Sequence, residues 1–413
     1  MSEVISLRSI TSKIGSGATP KGGNTVYENS GIAFIRSQNV LDMSFSTQNL
    51  AYITNEQANK LNNVIVESND ILLNITGDSI ARCTIVPDEL LPARVNQHVS
   101  IIRCISPDYA NYVCYYLQFL KPYLLQICKV GGTRNALTKE AIENLPIVIQ
   151  EEYKKIGKLL STIDQKIALN NQINEELEAM AKTLYDYWFV QFDFPDENGK
   201  PYKSSGGKMV YNDQLKREIP EGWGVDSLWN IATFYNGLAM QKFRPASETD
   251  ESLPVIKIRE MFSGFSKDTE KASTAIPKEA IIEAGDILFS WSATLEVILW
   301  GGEKGALNQH IFKVTSEKYP KSFIYNELRS YLKVFKTIAE LRKTTMGHIT
   351  QDHLKQAMII VPPNDLIDEI HNRISPILKQ QLDLKQQNQE LTQLRDWLLP
   401  MLMNGQVKVE DKS

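Results

Sequence analysis

Two stretches of this 413-residue chain spell nearly the same text. Phe34-Ile35-Arg36 has a partner in Ile256-Lys257-Ile258-Arg259, and Asp70-Ile71-Leu72 returns as Asp286-Ile287-Leu288. Asn96-Gln97-His98 returns as Asn308-Gln309-His310, and Leu137-Thr138 ahead of Ile147-Val148-Ile149 matches Ile349-Thr350 ahead of Ile359-Ile360-Val361. A helical run from Ile156 recurs from Ile370, with Gln172/Gln386, Asn174/Asn388, Glu176/Glu390 and Leu177/Leu391 in step. A repeat this long is a whole domain plus a helix, not a solenoid unit. The chain must therefore build two similar but unequal modules, each long enough for its own core. Two such contacts on one chain suit a bipartite target.

The first module, residues 1–150, mixes short β-like runs (Ile32–Ile35, Ile71–Ile75, Val99–Cys104) with turn signals and a helical stretch near Tyr109–Lys129. Residues 151–195 then read as one long helix. Ile156, Leu160, Ile163, Ile167, Asn170, Asn174, Leu177, Ala181, Leu184 and Trp188 keep a 4,3 spacing, which is a coiled-coil seam. Phe194-Pro195 ends it, and Asp196–Gly207 reads as a flexible, turn-rich linker. The second module occupies the rest of 196–363. A second helix in 364–413 places Ile370, Ile374, Ile377, Leu384, Leu391 and Leu398 on its seam, interrupted by Gln381, Asn388 and Arg395.

Neither apolar stripe can be buried alone. The expected fold is α+β: two globular α/β domains in tandem repeat, separated by two long antiparallel coiled-coil helices with pseudo-two-fold symmetry. Asn174 and Asn388 are repeat equivalents near the helix middles. They are expected to come together and fix register, as buried polar seam residues do.

The net charge of −4 is unevenly spread. The two helical segments carry −3 and −2, and the modules 0 and +1. Within the modules, Lys121, Lys129, Arg134 and Lys139 run without an intervening acid. The corresponding stretch of the second module holds Lys321, Arg329, Lys333, Lys336, Arg342 and Lys343 against Glu327 and Glu340. Basic stripes at the same place in both repeats fit phosphate contact. All four cysteines (Cys83, Cys104, Cys114, Cys128) lie in the first module with no C-x-x-C pair, which favours reduced thiols in a cytosol. Met1-Ser2-Glu3-Val4 opens no secretory signal, and no run approaches the ~18 apolar residues of a membrane span. A cytoplasmic protein is expected.

Motifs for covalent chemistry are not assembled. Val361-Pro362-Pro363-Asn364 lacks the flanking polar and aromatic residues of an adenine methyltransferase. There is no phosphate-binding G-x-x-x-x-G-K-S/T loop. His348 and His353 are spaced five apart rather than the four of a helical metal pair. His98 and His310 read as loop braces. No catalytic residue, metal site or cofactor site is expected in this chain.

The ordered set of features resembles the specificity subunits of type I restriction–modification enzymes. It comprises the Gly15-Ser16-Gly17-Ala18-Thr19-Pro20 loop, the Asp-Ile-Leu runs, the Asn-Gln-His pairs and Ile219-Pro220-Glu221-Gly222-Trp223, with the strand leads into both long helices. The second module departs from the pattern with Asn236-Gly237-Leu238-Ala239 in place of the Thr-Pro loop. The resemblance implies two target-recognition domains, each reading one half of an asymmetric, interrupted sequence in double-stranded DNA. It implies that the helices set the gap and dock two methyltransferase subunits. Those partners would use S-adenosylmethionine, and a restriction subunit would use ATP and Mg. A standalone DNA-binding or scaffold protein is the other reading the sequence allows.

Base readout draws on arginine, asparagine and glutamine from loops. The candidates in the first module are Arg36, Gln38, Asn39, Thr76, Arg82, Thr133, Arg134 and Asn135. In the second they are Lys257, Arg259, Ser290, Trp291, Arg342, Lys343, Thr345, Gly347 and His348.

Overall fold

The computed structural model describes residues 3–129, 136–341 and 347–410. It comprises two compact units, Met1–Ala168 with Leu391–Ser413 and Leu169–Glu390. Each long helix is thus shared, part of it belonging to either unit, rather than standing as a separate spacer.

In the first unit, β-branched and aromatic runs bounded by turn residues pair into two four-stranded sheets. One has Ile71–Asn74 and Val99–Cys104 at its centre, flanked by Thr11–Ser16 and Cys83–Ile85. The other has Ile32–Ile35 paired in parallel with Ala93–Val95, flanked by Ala51–Ile53 and Ile65–Val66. A short ladder joins Glu3–Ser6 to Pro146–Ile149. Phe34, Ile35, Leu72 and Ile101 are fully buried between these layers. The helical stretch is two helices, Pro107–Phe119 and Lys121–Ile127. The first presents Tyr112, Val113, Cys114 and Leu117 to the core.

The second unit repeats this order and adds a hairpin of Met209–Asn212 with Arg217–Pro220. Ile287–Ser290 and Ile311–Thr315 are flanked by Thr233–Asn236 and Glu296–Leu299. Ser252–Ile256 pairs in parallel with Gly305–Leu307. Gly224–Ser227 pairs with Met358–Val361 as Glu3–Ser6 does with Pro146–Ile149. The parallel registers Ile35↔Val95 and Ile256↔Leu307 align the modules residue by residue. On that alignment Arg36 corresponds to Lys257, two residues away from the Arg36/Arg259 match suggested by the sequence.

The first long helix is α-helical over Tyr153–Tyr185, widens into a π-helical turn at Asp186–Val190, and stops where Phe192 takes a left-handed φ of 67°. The segment that follows is not a loose linker. Phe194 stacks on Tyr202 at 4.6 Å, Pro195 bridges Pro201, and Asp196 Oδ1 accepts the N–H groups of Asn198 and Lys200, both at 2.8 Å. These aromatic and capping contacts order the turn residues that composition alone marks as flexible.

The second long helix spans Asn364–Met403. In the second unit Asn170 meets Gln387 and Asn388, and Asn174 meets Gln381. In the first unit Asp164 meets Arg395. Numbers rise on one helix as they fall on the other, so the pair is antiparallel. The asparagine layer differs from expectation. Asn388 accepts from Asn170 Nδ2 and donates to Asn171 Oδ1, both at 2.8 Å, instead of meeting Asn174. In an antiparallel pair, equivalents at the same height face each other only on the symmetry axis; these lie off it. Asn174 meets the other helix through its backbone carbonyl, which accepts from Gln381 Nε2 at 3.1 Å, and its Oδ1 is buried without a hydrogen-bond partner among the described residues. On the seam, Ile163, Ile370 and Ile374 are buried, whereas Ile167, Leu177, Leu184, Ile377, Leu384, Leu391 and Leu398 are half-buried.

Candidate nucleic-acid interface

In both modules three chain segments are pinned together by the same backbone hydrogen bonds. Ile75 N–H donates to His98 O and Leu137 N–H to Ile75 O, at 3.0 and 2.9 Å. In the second module Trp291 N–H donates to His310 O and Ile349 N–H to Trp291 O, at 3.2 and 2.8 Å. The glycine loop closes the cluster. Gly17 N–H reaches Val99 O, and a Cβ on Gly17 would lie 2.2 Å from Val95 O. Gly237 N–H reaches Ile311 O, and a Cβ there would lie 2.1 Å from Asn308 O. Only glycine permits this approach, so Asn236-Gly237 fills the role of Ser16-Gly17 without the Thr-Pro sequence.

Several predicted readers serve this scaffold instead. Asn39 is fully buried. Its Oδ1 accepts the Arg36 N–H at 3.1 Å and its Nδ2 donates to Ser46 O at 2.9 Å. Glu260 holds the equivalent place, 1% exposed, accepting the Lys257 N–H at 3.2 Å. Arg259 is tied to that Glu260 carboxylate at 2.6 Å. Ser290 is fully buried, donating to Thr294 O at 2.6 Å. Asp70 and Asp286 are counterparts of another kind, each accepting the N–H three residues back, with Asp70 also gripping Arg103 through two 2.8 Å bonds. A buried polar group must find such partners to avoid a desolvation cost of about 1–3 kcal/mol.

The remaining candidates reach the surface. Arg36 donates to Asn49 O and lies 5.4 Å over the Tyr27 ring. Gln38 is exposed with a 3.4 Å bond to the same carbonyl. Thr76 Oγ1 bonds His98 Nδ1 at 2.6 Å. Arg82 is half-buried, and its guanidinium has no ion pair or hydrogen bond among the described residues. Lys257 pairs with Glu270 at 2.5 Å, a hydrogen bond that holds the Glu270 carboxyl below its ordinary range. Trp291 is half-buried, its Nε1 donating to Asn236 Oδ1 at 2.9 Å. Gly347 lies against Ala339 O, and the His348 ring stands 6.3 Å from Trp291. Thr133, Arg134, Asn135, Arg342, Lys343 and Thr345 lie outside the described residues.

Among the described residues of the basic stripes, four are ion-paired. Lys121 pairs with Asp42 at 2.6 Å, Lys139 with Glu143 at 3.6 Å and Lys336 with Glu296 at 3.1 Å. Arg329 pairs with Glu178, and Lys321 donates to Gly285 O at 2.6 Å. Lys129 and Lys333 are the members left without such a partner among the described residues. Charge runs in sequence miss acids supplied by other elements. His353 is buried and its Nδ1 accepts the Thr350 N–H at 3.0 Å, capping the following helix. Among the described residues no group of three or more metal-ligating side chains occurs, and no helix is long and apolar enough to cross a membrane.

Around His98 and His310, which the sequence marks only as loop braces, the fold also brings forward Thr19, Gln97 and Gln309. Gln97 Nε2 bonds His98 Nε2 at 3.0 Å, and Thr19 reaches Gln97. Gln309 approaches His310 Nε2 at 3.4 Å, and His310 lies 5.5 Å from Trp291. Their recurrence in both repeats was the available signal.

One scaffold is built twice, with different side chains at the same loop cluster. The chain belongs to the type I restriction modification DNA specificity domain family, which matches residues 2–179 and 220–393. It is 25% identical over 279 residues to the type I restriction enzyme MjaIX specificity subunit of Methanocaldococcus jannaschii, covering 65% of this chain and 61% of that protein. It is 25% identical over 333 residues to the HindI specificity subunit of Haemophilus influenzae, covering 67% of this chain and 72% of that one. The fold matches the crystal structure of the type I restriction–modification S subunit from M. genitalium with a TM-score of 0.57 at 14% identity, over 100% of this chain and 97% of the other.

Proposed function

We propose that this chain is the non-catalytic, sequence-reading subunit of a cytosolic type I restriction–modification enzyme. Each module reads one half of an asymmetric, interrupted site in duplex DNA. The long helices set the gap and dock two methyltransferase subunits, which bring S-adenosylmethionine and modify adenine. A restriction subunit supplies ATP- and Mg-dependent cleavage. The observation that carries this reading is the loop cluster. Its backbone hydrogen bonds are the same in both modules, while Ile75 and Ala136 are replaced by Trp291 and His348. A common frame with exchanged side chains is what two different half-sites require.

The test is a methylome. The chain is co-expressed with a type I methyltransferase subunit from its own genome in a methylation-free host, and modified adenines are mapped. An interrupted, asymmetric motif that depends on this chain supports the proposal. Methylation that ignores the chain, or none at all with an active methyltransferase, overturns it.

A further inference from the structure

The two Asn-Gln-His turns share a backbone but leave their histidines in different states. His98 is half-buried and both ring nitrogens are engaged, Nδ1 with Thr76 Oγ1 at 2.6 Å and Nε2 with Gln97 at 3.0 Å. His310 is exposed. Its Nε2 has a long 3.4 Å approach from Gln309, and its Nδ1 has no partner among the described residues. Ser292 stands where Thr76 stands in the first module, by the shared bridge Thr76↔Ala136 and Ser292↔His348, yet makes no bond to the imidazole. In place of that bond, the His310 ring rests 5.5 Å from Trp291, whose indole is fixed by Asn236 and flanked by Phe312 at 5.9 Å.

We infer that His310, propped on Trp291, is a specificity-determining residue that hydrogen-bonds a base edge in the second half-site, whereas His98 is a positioning residue. An imidazole with one open nitrogen, held by an aromatic neighbour in a fixed orientation, has the directionality that base readout needs and that phosphate contact does not. His98, saturated by Thr76 and Gln97, holds its loop and offers nothing to a ligand. This rests on the DNA-specificity reading above.

The experiment uses the full chain co-expressed with its methyltransferase and reads the methylated motif for wild type, His310→Ala, His310→Gln and His98→Ala. Purified complexes are also assayed on randomised duplexes across a salt series, with thermal melting as the folding control. Loss of one good base contact corresponds to about a ten-fold fall in discrimination. His310→Ala should therefore relax one position of the second half-site by about that factor and leave the first half-site intact. His310→Gln should retain or re-specify that position. His98→Ala should lower the melting temperature without changing the identity of a base. A folded His310→Ala variant that keeps the full motif while the salt slope flattens by about one shows a phosphate contact and overturns the inference. So does an unchanged motif with an unchanged slope. A wild-type chain that directs no motif at all refutes the specificity reading itself, which separates the two failures.

Discussion

Asn170 Nδ2 donates to Asn388 Oδ1 at 2.8 Å, whereas Asn174, one turn along the same helix, makes no side-chain hydrogen bond among the described residues; the side-chain carbonyls of both are buried without a partner there. Substitution at these two asparagines should have opposite signs. Asn170→Leu strips a donor from both Asn388 and Gln387 and should cost about 1–3 kcal/mol. Asn174→Leu removes a polar side chain that has no hydrogen bond among the described residues and should be neutral or stabilising by about 1 kcal/mol. Urea unfolding of each full-length variant decides this, and equal losses at both positions would refute the register.

Gly17 and Gly237 each leave no room for a methyl group against a backbone carbonyl. Gly17→Ala and Gly237→Ala should each destabilise by about 1–3 kcal/mol through forced backbone movement. The damage should be confined to the half-site of the altered module, which the methylated motif reports. Loss of both half-sites from one substitution would contradict independent modules.

Glu327 is half-buried as a residue, and its carboxyl is the enclosed end. Burial pushes it up to about 7, opposed in part by the Tyr185 hydroxyl and the charge of Arg217. The unfolded chain releases this proton near pH ~4.3. Between those values the folded state binds the extra proton, so its contribution to stability falls as pH rises, by roughly 4 kcal/mol across the window. Glu327→Gln should flatten this dependence and gain most above pH 7. Parallel curves for variant and wild type between pH 5 and 8 would assign the slope to other groups.

Arg82 and Arg103 separate anchoring from scaffolding. Arg82→Ala should reduce the slope of log affinity against log salt by about one and leave stability unchanged. Arg103→Ala abandons the fully buried Asp70 and should cost about 3–5 kcal/mol without touching the slope per folded molecule. Arg134→Ala and Arg342→Ala carry the same expectation as Arg82→Ala. A slope insensitive to Arg82, Arg134 and Arg342 alike would remove these three from the interface.

Much of the architecture is legible because periodicity and repetition are properties of the chain itself. Ile32–Ile35 and Val99–Cys104 are strands with the bounds their apolar runs indicate, and the 4,3 spacing from Ile156 marks the long helix. What the sequence hides is the partner brought from elsewhere. Asn39 and Ser290 look like readers because nothing nearby shows Ser46 O or Thr294 O waiting for them. Lys121 looks like a phosphate anchor until Asp42 arrives from another loop. Conversely, His310 looks like a brace by analogy with His98, because the missing bond to Ser292 is visible only in three dimensions.

The asparagine layer also makes the two halves unequal partners. Two first-copy helices laid together in this alignment would set Asn170 against Asn174 on both sides, amide facing amide. Two second-copy helices would set Leu384 against Asn388 twice, with each amide facing a hydrocarbon. If the chain were severed, the first half could therefore pair with its own kind, while the second would still depend on the first.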